Sequence, residues 1–183
     1  EDFSNEYKGN IPKEDIEDFD GKKEYWLSIP TYDGSREMTH PKVLYFKNGM
    51  NGYKYWMVMT PYPYNTAEKE NPSIVVSNDV TKWVEPKGIK NPVSGLPKAI
   101  TKGAYFSDPF MLYDYANSEF EMFFRETKSR FDGKYDKNGY NAVYYKSSKD
   151  GITWSENKMI FEDKVKERYM SISVVKRNNK YKI

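Results

Sequence analysis

The 183-residue chain contains no cysteine and a single histidine, His40. Without cysteine there can be neither a disulfide nor a thiolate metal site, and the redox compartment stays open. No apolar run approaches the roughly 20 residues that a membrane helix needs, and no secretory leader pattern is visible. An excess of one charge is missing too. The 29 Lys and Arg stand against 27 Asp and Glu, a net charge of +2, so no global field draws in nucleic acid or an anionic membrane. Apolar residues nowhere recur at helical spacing.

What the chain has in quantity is aromatic residues. They make up 17% of it, and 17 of them are tyrosines, beside a mean hydropathy of −0.91. That mixture suits small sheets whose strands bury rings on one face and show Lys, Glu and Asn on the other. The stretch Thr39–Trp83 reads as four short strands. Val43–Phe46 and Tyr53–Thr60 flank a Gly/Asn turn, Ser73–Ser77 follows, and a fourth begins near Trp83 after the turn at Asn78–Asp79. β-Branched and aromatic residues fill the runs, and Gly, Pro, Asn and Asp bound them.

The pattern then returns. Thr39-His40-Pro41-Lys42-Val43-Leu44-Tyr45 aligns with Ser107-Asp108-Pro109-Phe110-Met111-Leu112-Tyr113, and Tyr53–Trp56 aligns with Phe120–Phe123. Asp79 and Trp83 align with Asp150 and Trp154 at the same spacing. A third copy opens at Met170. Four strands in a repeat of roughly 70 residues are the signature of a propeller blade. The fold expected is therefore all-β, a β-propeller of four-stranded antiparallel blades. One blade lies near 39–86, a second near 107–161, and a third starts from 170, so residues 25–183 form part of a propeller. Because propellers take at least about four blades, the chain reads as part of a longer protein. The polar segment Glu1–Lys23, extended to residue 24, reads as a linker, and Tyr25–Pro30 as a strand candidate. Ser129–Gly139 reads as a charged loop.

In a propeller the innermost strands line a central channel, and residues at their starts converge on its axis. The repeat puts His40, Asp108 and Ser171 in equivalent places, one per blade. Thr60, Tyr62, Arg125 and Glu126, with Glu70 and Asn71 on a returning loop, form a second ring. Tyr62 and Tyr64 are candidates for stacking on a sugar face, and the recurrent Trp83 and Trp154 belong to packing.

Ser148–Trp154 and Ser77–Trp83 resemble the blade-closing turns of the five-bladed propellers of the arabinanase, levansucrase and invertase superfamily. Ser107-Asp108-Pro109 is similar to the step that carries acidic residues in family 43 glycoside hydrolases. His40-Pro41 through Tyr62-Pro63, with Glu70-Asn71-Pro72, resembles the propeller domain of tail receptor-binding proteins of phages that infect Gram-positive bacteria. That resemblance implies five blades, a homotrimer on a virion tail fibre or baseplate, and binding of a cell-wall carbohydrate or glycopolymer such as glycosylated teichoic acid. The ligand-binding set expected from the repeat and the ring around it is His40, Asp108, Arg125, Tyr62, Glu70, Asn71 and Ser171, with no metal, cofactor, nucleic acid or membrane. Against hydrolysis stands His40, where the hydrolase pattern has an Asp base. Glycosidases flank the scissile bond with two carboxylic residues. No catalytic residue is expected, therefore, although a secreted family 43 hydrolase using Asp108, Glu70 and Glu126 is the alternative. A purely structural propeller platform is the second alternative.

Overall fold

The computed structural model describes residues 27–98, 103–131, 134–163 and 171–183, with the backbone alone over 128–131, 134–140 and 163. The segment 1–24 and the first two residues of the Tyr25–Pro30 strand candidate lie outside the described residues, and its described remainder, 27–30, forms no strand. Among the described residues nine strands run in chain order: β1 Met38–Met50, β2 Tyr53–Pro61, β3 Ser73–Ser77, β4 Tyr105–Asp114, β5 Glu119–Phe131, β6 Lys134–Ser148, β7 Lys158–Asp163, β8 Val175–Arg177 and β9 Lys180–Lys182. They form three antiparallel meanders, β1-β2-β3, β4-β5-β6-β7 and β8-β9. The chain is all-β, and these are blades of a β-propeller.

Three further strand expectations needed correction. The fourth strand of the first blade shrinks to one antiparallel bridge, Val76 to Val84, because Pro86 follows at once and cannot donate to a ladder. The described residues of 129–139 are strand rather than loop. In its described part β5 runs on to Phe131 and β6 starts at Lys134, with Arg130 opposite Tyr135 and Phe131 opposite Lys134. The third copy's first described strand starts at Val175, later than the repeat suggested.

Two features recur from blade to blade. First, the innermost strand of each carries a register shift, between Thr39 and Lys42 in β1 and between Ser107 and Phe110 in β4. His40-Pro41 and Asp108-Pro109 sit in these bulges. Both His40 and Asp108 have left-handed backbone, with φ of 54° and 49°, a conformation that costs an ordinary residue of order 1–3 kcal/mol and persists only where the surroundings impose it. Bulges re-aim a side chain. Here they turn two equivalent side chains toward the same place.

Second, each blade closes on the same turn. The Ser77 hydroxyl accepts from the backbone N–H of Asp79 and Val80, and the Ser148 hydroxyl from those of Asp150 and Gly151. Asp79 in turn accepts from the N–H groups of Thr81 and Lys82 at 2.9 and 2.8 Å, and Asp150 from those of Ile152 and Thr153 at 2.8 and 2.7 Å. The bonds from Lys82 and Thr81 hold the Asp79 carboxyl down at about 2. Each tryptophan finishes the turn by donating its indole N–H, Trp83 to the Val80 carbonyl and Trp154 to that of Gly151. Both rings pack on the core.

Between the first two blades lies a seam of rings and methionines. Trp56, Phe46, Phe106, Phe120, Phe124, Met111 and Met122 are buried there in one cluster, with Trp56 and Phe120 ring centroids 5.0 Å apart. Each such ring is worth about 1.5–3 kcal/mol on burial, so the seam fixes β1 and β4 side by side. The third hairpin is joined to the second blade by charge as well as by the Tyr181 ring on Phe123, centroids 5.5 Å apart. Lys176 reaches Asp114 at 2.5 Å and Glu121 at 2.7 Å, and the Tyr181 hydroxyl donates to Glu121 at 2.6 Å.

Candidate functional site

The two bulges bring His40 and Asp108 into contact across the first seam. His40 Nε2 lies 3.0 Å from Asp108 Oδ1, and His40 Nδ1 lies 3.4 Å from Glu70 and 3.3 Å from the Thr60 hydroxyl. The other Asp108 oxygen meets the Arg125 guanidinium at 2.7 Å, and the same guanidinium donates to the Ser107 hydroxyl at 2.8 Å. Glu70, Asp108 and Arg125 are buried, whereas the His40 side chain is 38% exposed. What faces solvent is therefore an imidazole standing on two carboxylates.

Each member is delivered by a different element. β4 and β5 place Ser107 opposite Arg125. Glu70 ends a 3-10 turn at Ala67–Lys69, where its N–H donates to the Ala67 carbonyl. Asn71, fully buried, holds that loop by donating to the Tyr32 hydroxyl at 2.9 Å and the Glu68 carbonyl at 3.0 Å. It is thus an anchor for Glu70.

The electrostatics follow from the partners. The bond to Glu70, with the Asp108 charge added, pushes the His40 pKa up against the opposing effects of burial and Arg125. With His40 protonated, the two carboxylates balance Arg125 and His40. With His40 neutral, the cluster carries one excess negative charge. One donor atom each from His40, Glu70 and Asp108 lies within 4.8 Å of the others, the geometry of a set that could hold a metal ion. Such an ion would have to displace the His40 proton, since only neutral imidazole ligates.

The remaining sequence-derived residues divide. Tyr62 is exposed and lies within electrostatic reach of the Tyr105 phenol, which is itself within reach of the cluster. Glu126 does not join it. Strand alternation turns it to the opposite face of β5, where it bonds Tyr144. Ser171 is exposed, and no hydrogen bond joins it to the cluster among the described residues. Sequence reasoning missed Tyr105, whose phenol is pushed up by burial and lies within electrostatic reach of Arg125, Glu70 and Asp108. The signal was present, because Tyr105 and Ser107 share one face of β4. Asp108 also proves more deeply placed than a channel-lining acceptor. Buried and ion-paired, it positions His40.

A stretch of 61 residues, 33% of the chain and 8% of the relative, is 46% identical to an A type blood N-acetyl-α-D-galactosamine deacetylase of Flavonifractor plautii. The relatives act on carbohydrate. The crystal structure of an N-acetylgalactosamine deacetylase from F. plautii, in complex with blood group B trisaccharide, superposes with a TM-score of 0.60 at 30% identity, over 72% of this chain and 34% of that one. An exo-β-1,3-galactanase from Phanerochaete chrysosporium, with β-1,3-galactotriose, superposes at 0.45 and 16% identity, over 72% and 28%. The chain thus spans about a third of the solved deacetylase and matches a small part of the curated one. No family model matches it. None of these proteins is a phage receptor-binding protein, so that resemblance rests on the motifs alone.

Proposed function

We propose that this propeller binds a glycan ending in a galactose-type or N-acetylated amino sugar at the His40–Glu70–Asp108–Arg125 cluster. The observation that carries the reading is the contact between two proline-locked bulges. Strain in both blades, at matching positions, is spent on bringing one imidazole and one carboxylate together at an exposed spot. His40 would meet the ligand first, Tyr62 would cover an apolar ring face, and Glu70, Asp108 and Arg125 would fix the imidazole from behind. The likeness to N-acetylgalactosamine deacetylases supports the choice of sugar.

A second reading has its own support. An imidazole oriented by a buried carboxylate is the arrangement of a general base. Neutral His40, with Nε2 kept on Asp108 and Nδ1 released from Glu70, would take a proton from water as it attacks the acetamide carbonyl and pass that proton to the departing nitrogen, releasing acetate and the free amine. Glycosidic cleavage is favoured less, because Glu126 faces away and His40 is wedged between the other two carboxylates. The phage setting, with a cell-wall glycopolymer as receptor and a trimeric tail protein as carrier, rests on the motif from His40-Pro41 to Glu70-Asn71-Pro72.

The test is calorimetric titration of the intact protein with N-acetylgalactosamine-ended and galactose-ended oligosaccharides, followed by assays for released acetate and reducing sugar. Binding without either product supports the first reading, and acetate supports the second. If no such glycan binds and no product forms, both fall.

A further inference from the structure

A cavity of about 330 Å³ lies away from the cluster, at the same seam, lined by Gly88, Lys90, Val93, Lys146, Ile152, Thr153 and Trp154. Lys146 is opposite Met122 on β5, three rungs from the Arg125 pairing with Val143 and toward the closing turn. Strand alternation puts it on the face of Tyr144, which packs into the seam. Its residue exposure is 5%. For so buried an ammonium it has few partners. It donates to the Val93 carbonyl, which accounts for one of its three N–H groups.

Buried charges are normally paired, and an unpaired one carries a large desolvation cost. Burial indeed draws the Lys146 pKa down to about 8, with the Glu156 carboxylate opposing the shift. The cavity lining contains two lysines and no carboxylate, one indole, one hydroxyl and apolar Ile152 and Val93. It offers positive charge, an aromatic wall and a hydroxyl. We infer that this cavity is a second ligand site, which takes an oxyanion, carboxylate or phosphate, carried on a sugar ring. The oxyanion would meet Lys146 and Lys90, the Thr153 hydroxyl would serve ring hydroxyls, and the Trp154 indole would take the ring's apolar face.

This site is independent of the glycan cluster, and its test leaves that cluster untouched. The intact protein is titrated by calorimetry with D-glucuronate, with glucose 1-phosphate and with glucose, which separates a carboxylate source, a phosphate source and a neutral ring. The account expects one or both anions to bind at least about tenfold more tightly than glucose. It expects that preference to fall as pH rises from 6.5 to 9.5, as Lys146 loses its charge in the field of Lys90 and Glu156. Lys146→Met should remove the preference. Should that variant fail to fold, the parent still decides, because bound anion should protect Lys146 from acetylation by acetic anhydride, read by peptide mass spectrometry. Equal binding of glucose, no binding of any of the three, or acetylation of Lys146 unchanged by saturating anion would each overturn the proposal.

Discussion

The first and second blades are two versions of one repeat, and where they differ is more informative than where they agree. Both have the proline-locked bulge and both have the Ser/Asp turn closed by tryptophan. In the second blade the turn's left-handed residue is Gly151, at φ 73°. In the first it is Val80, at φ 60° and 44% exposed. The environment explains the pair. A Cβ on Gly151 would stand 2.3 Å from the Trp56 ring, since that turn is wedged into the seam. The first blade's turn faces outward, where a side chain fits but the backbone is strained. The bulges differ in the opposite sense. Equivalent in backbone, they carry His40 in one blade and Asp108 in the other, and that asymmetry makes a site out of a repeat.

Several substitutions would sharpen the contrast. Asp108→Ala should have the largest effect, a loss of about 3–5 kcal/mol in unfolding free energy by denaturant titration, because it strips a buried charge partner from Arg125. Asp108→Asn, which keeps volume and a hydrogen bond, should cost clearly less. Gly151→Ala should cost about 2–4 kcal/mol by the same measurement, from overpacking against Trp56 plus an unfavourable φ. The reverse change in the other blade, Val80→Gly, should stabilise by about 1 kcal/mol through release of strain in a β-branched residue. Equal effects of these last two would refute the comparison.

The smallest effect is pH-dependent. His40 has a folded pKa raised above its unfolded value, so its contribution is fully present below about 6.5 and is lost as pH rises through the folded pKa. The stability difference between parent and His40→Gln should therefore be larger at pH 5.5 than at pH 9. A pH-independent difference would mean that the imidazole is not held by Glu70 and Asp108.

Much of this was legible beforehand because it repeats. Alternating aromatic runs between turn residues gave the strands, and the offset between His40-Pro41 and Asp108-Pro109 paired two side chains far apart in sequence. What resisted reading was depth and direction. Asp108 and Glu126 are both acids in strands, yet one sits buried beneath His40 and the other faces Tyr144. The difference is set by the bulge and by strand alternation around it, and a one-residue shift moves a side chain to the other face. The extension of β5 to Phe131 and of β6 back to Lys134 was missed because the composition there is that of a loop. There the hairpin is sustained by backbone pairing, which composition does not encode. Lys146 and its cavity were invisible for a similar reason: one lysine among many is marked only by what surrounds it.

The account stands on His40 as the group that meets the glycan. Its imidazole protons can be followed by NMR, with the signal identified by its loss in His40→Gln. On titration of the intact protein with an N-acetylgalactosamine-ended oligosaccharide, that signal should shift and saturate, and His40→Gln should weaken binding about ten- to a hundredfold, as loss of a hydrogen bond to a charged group does. A glycan that saturates the protein while the His40 signal stays in place, and that binds His40→Gln as tightly as the parent, would contradict it.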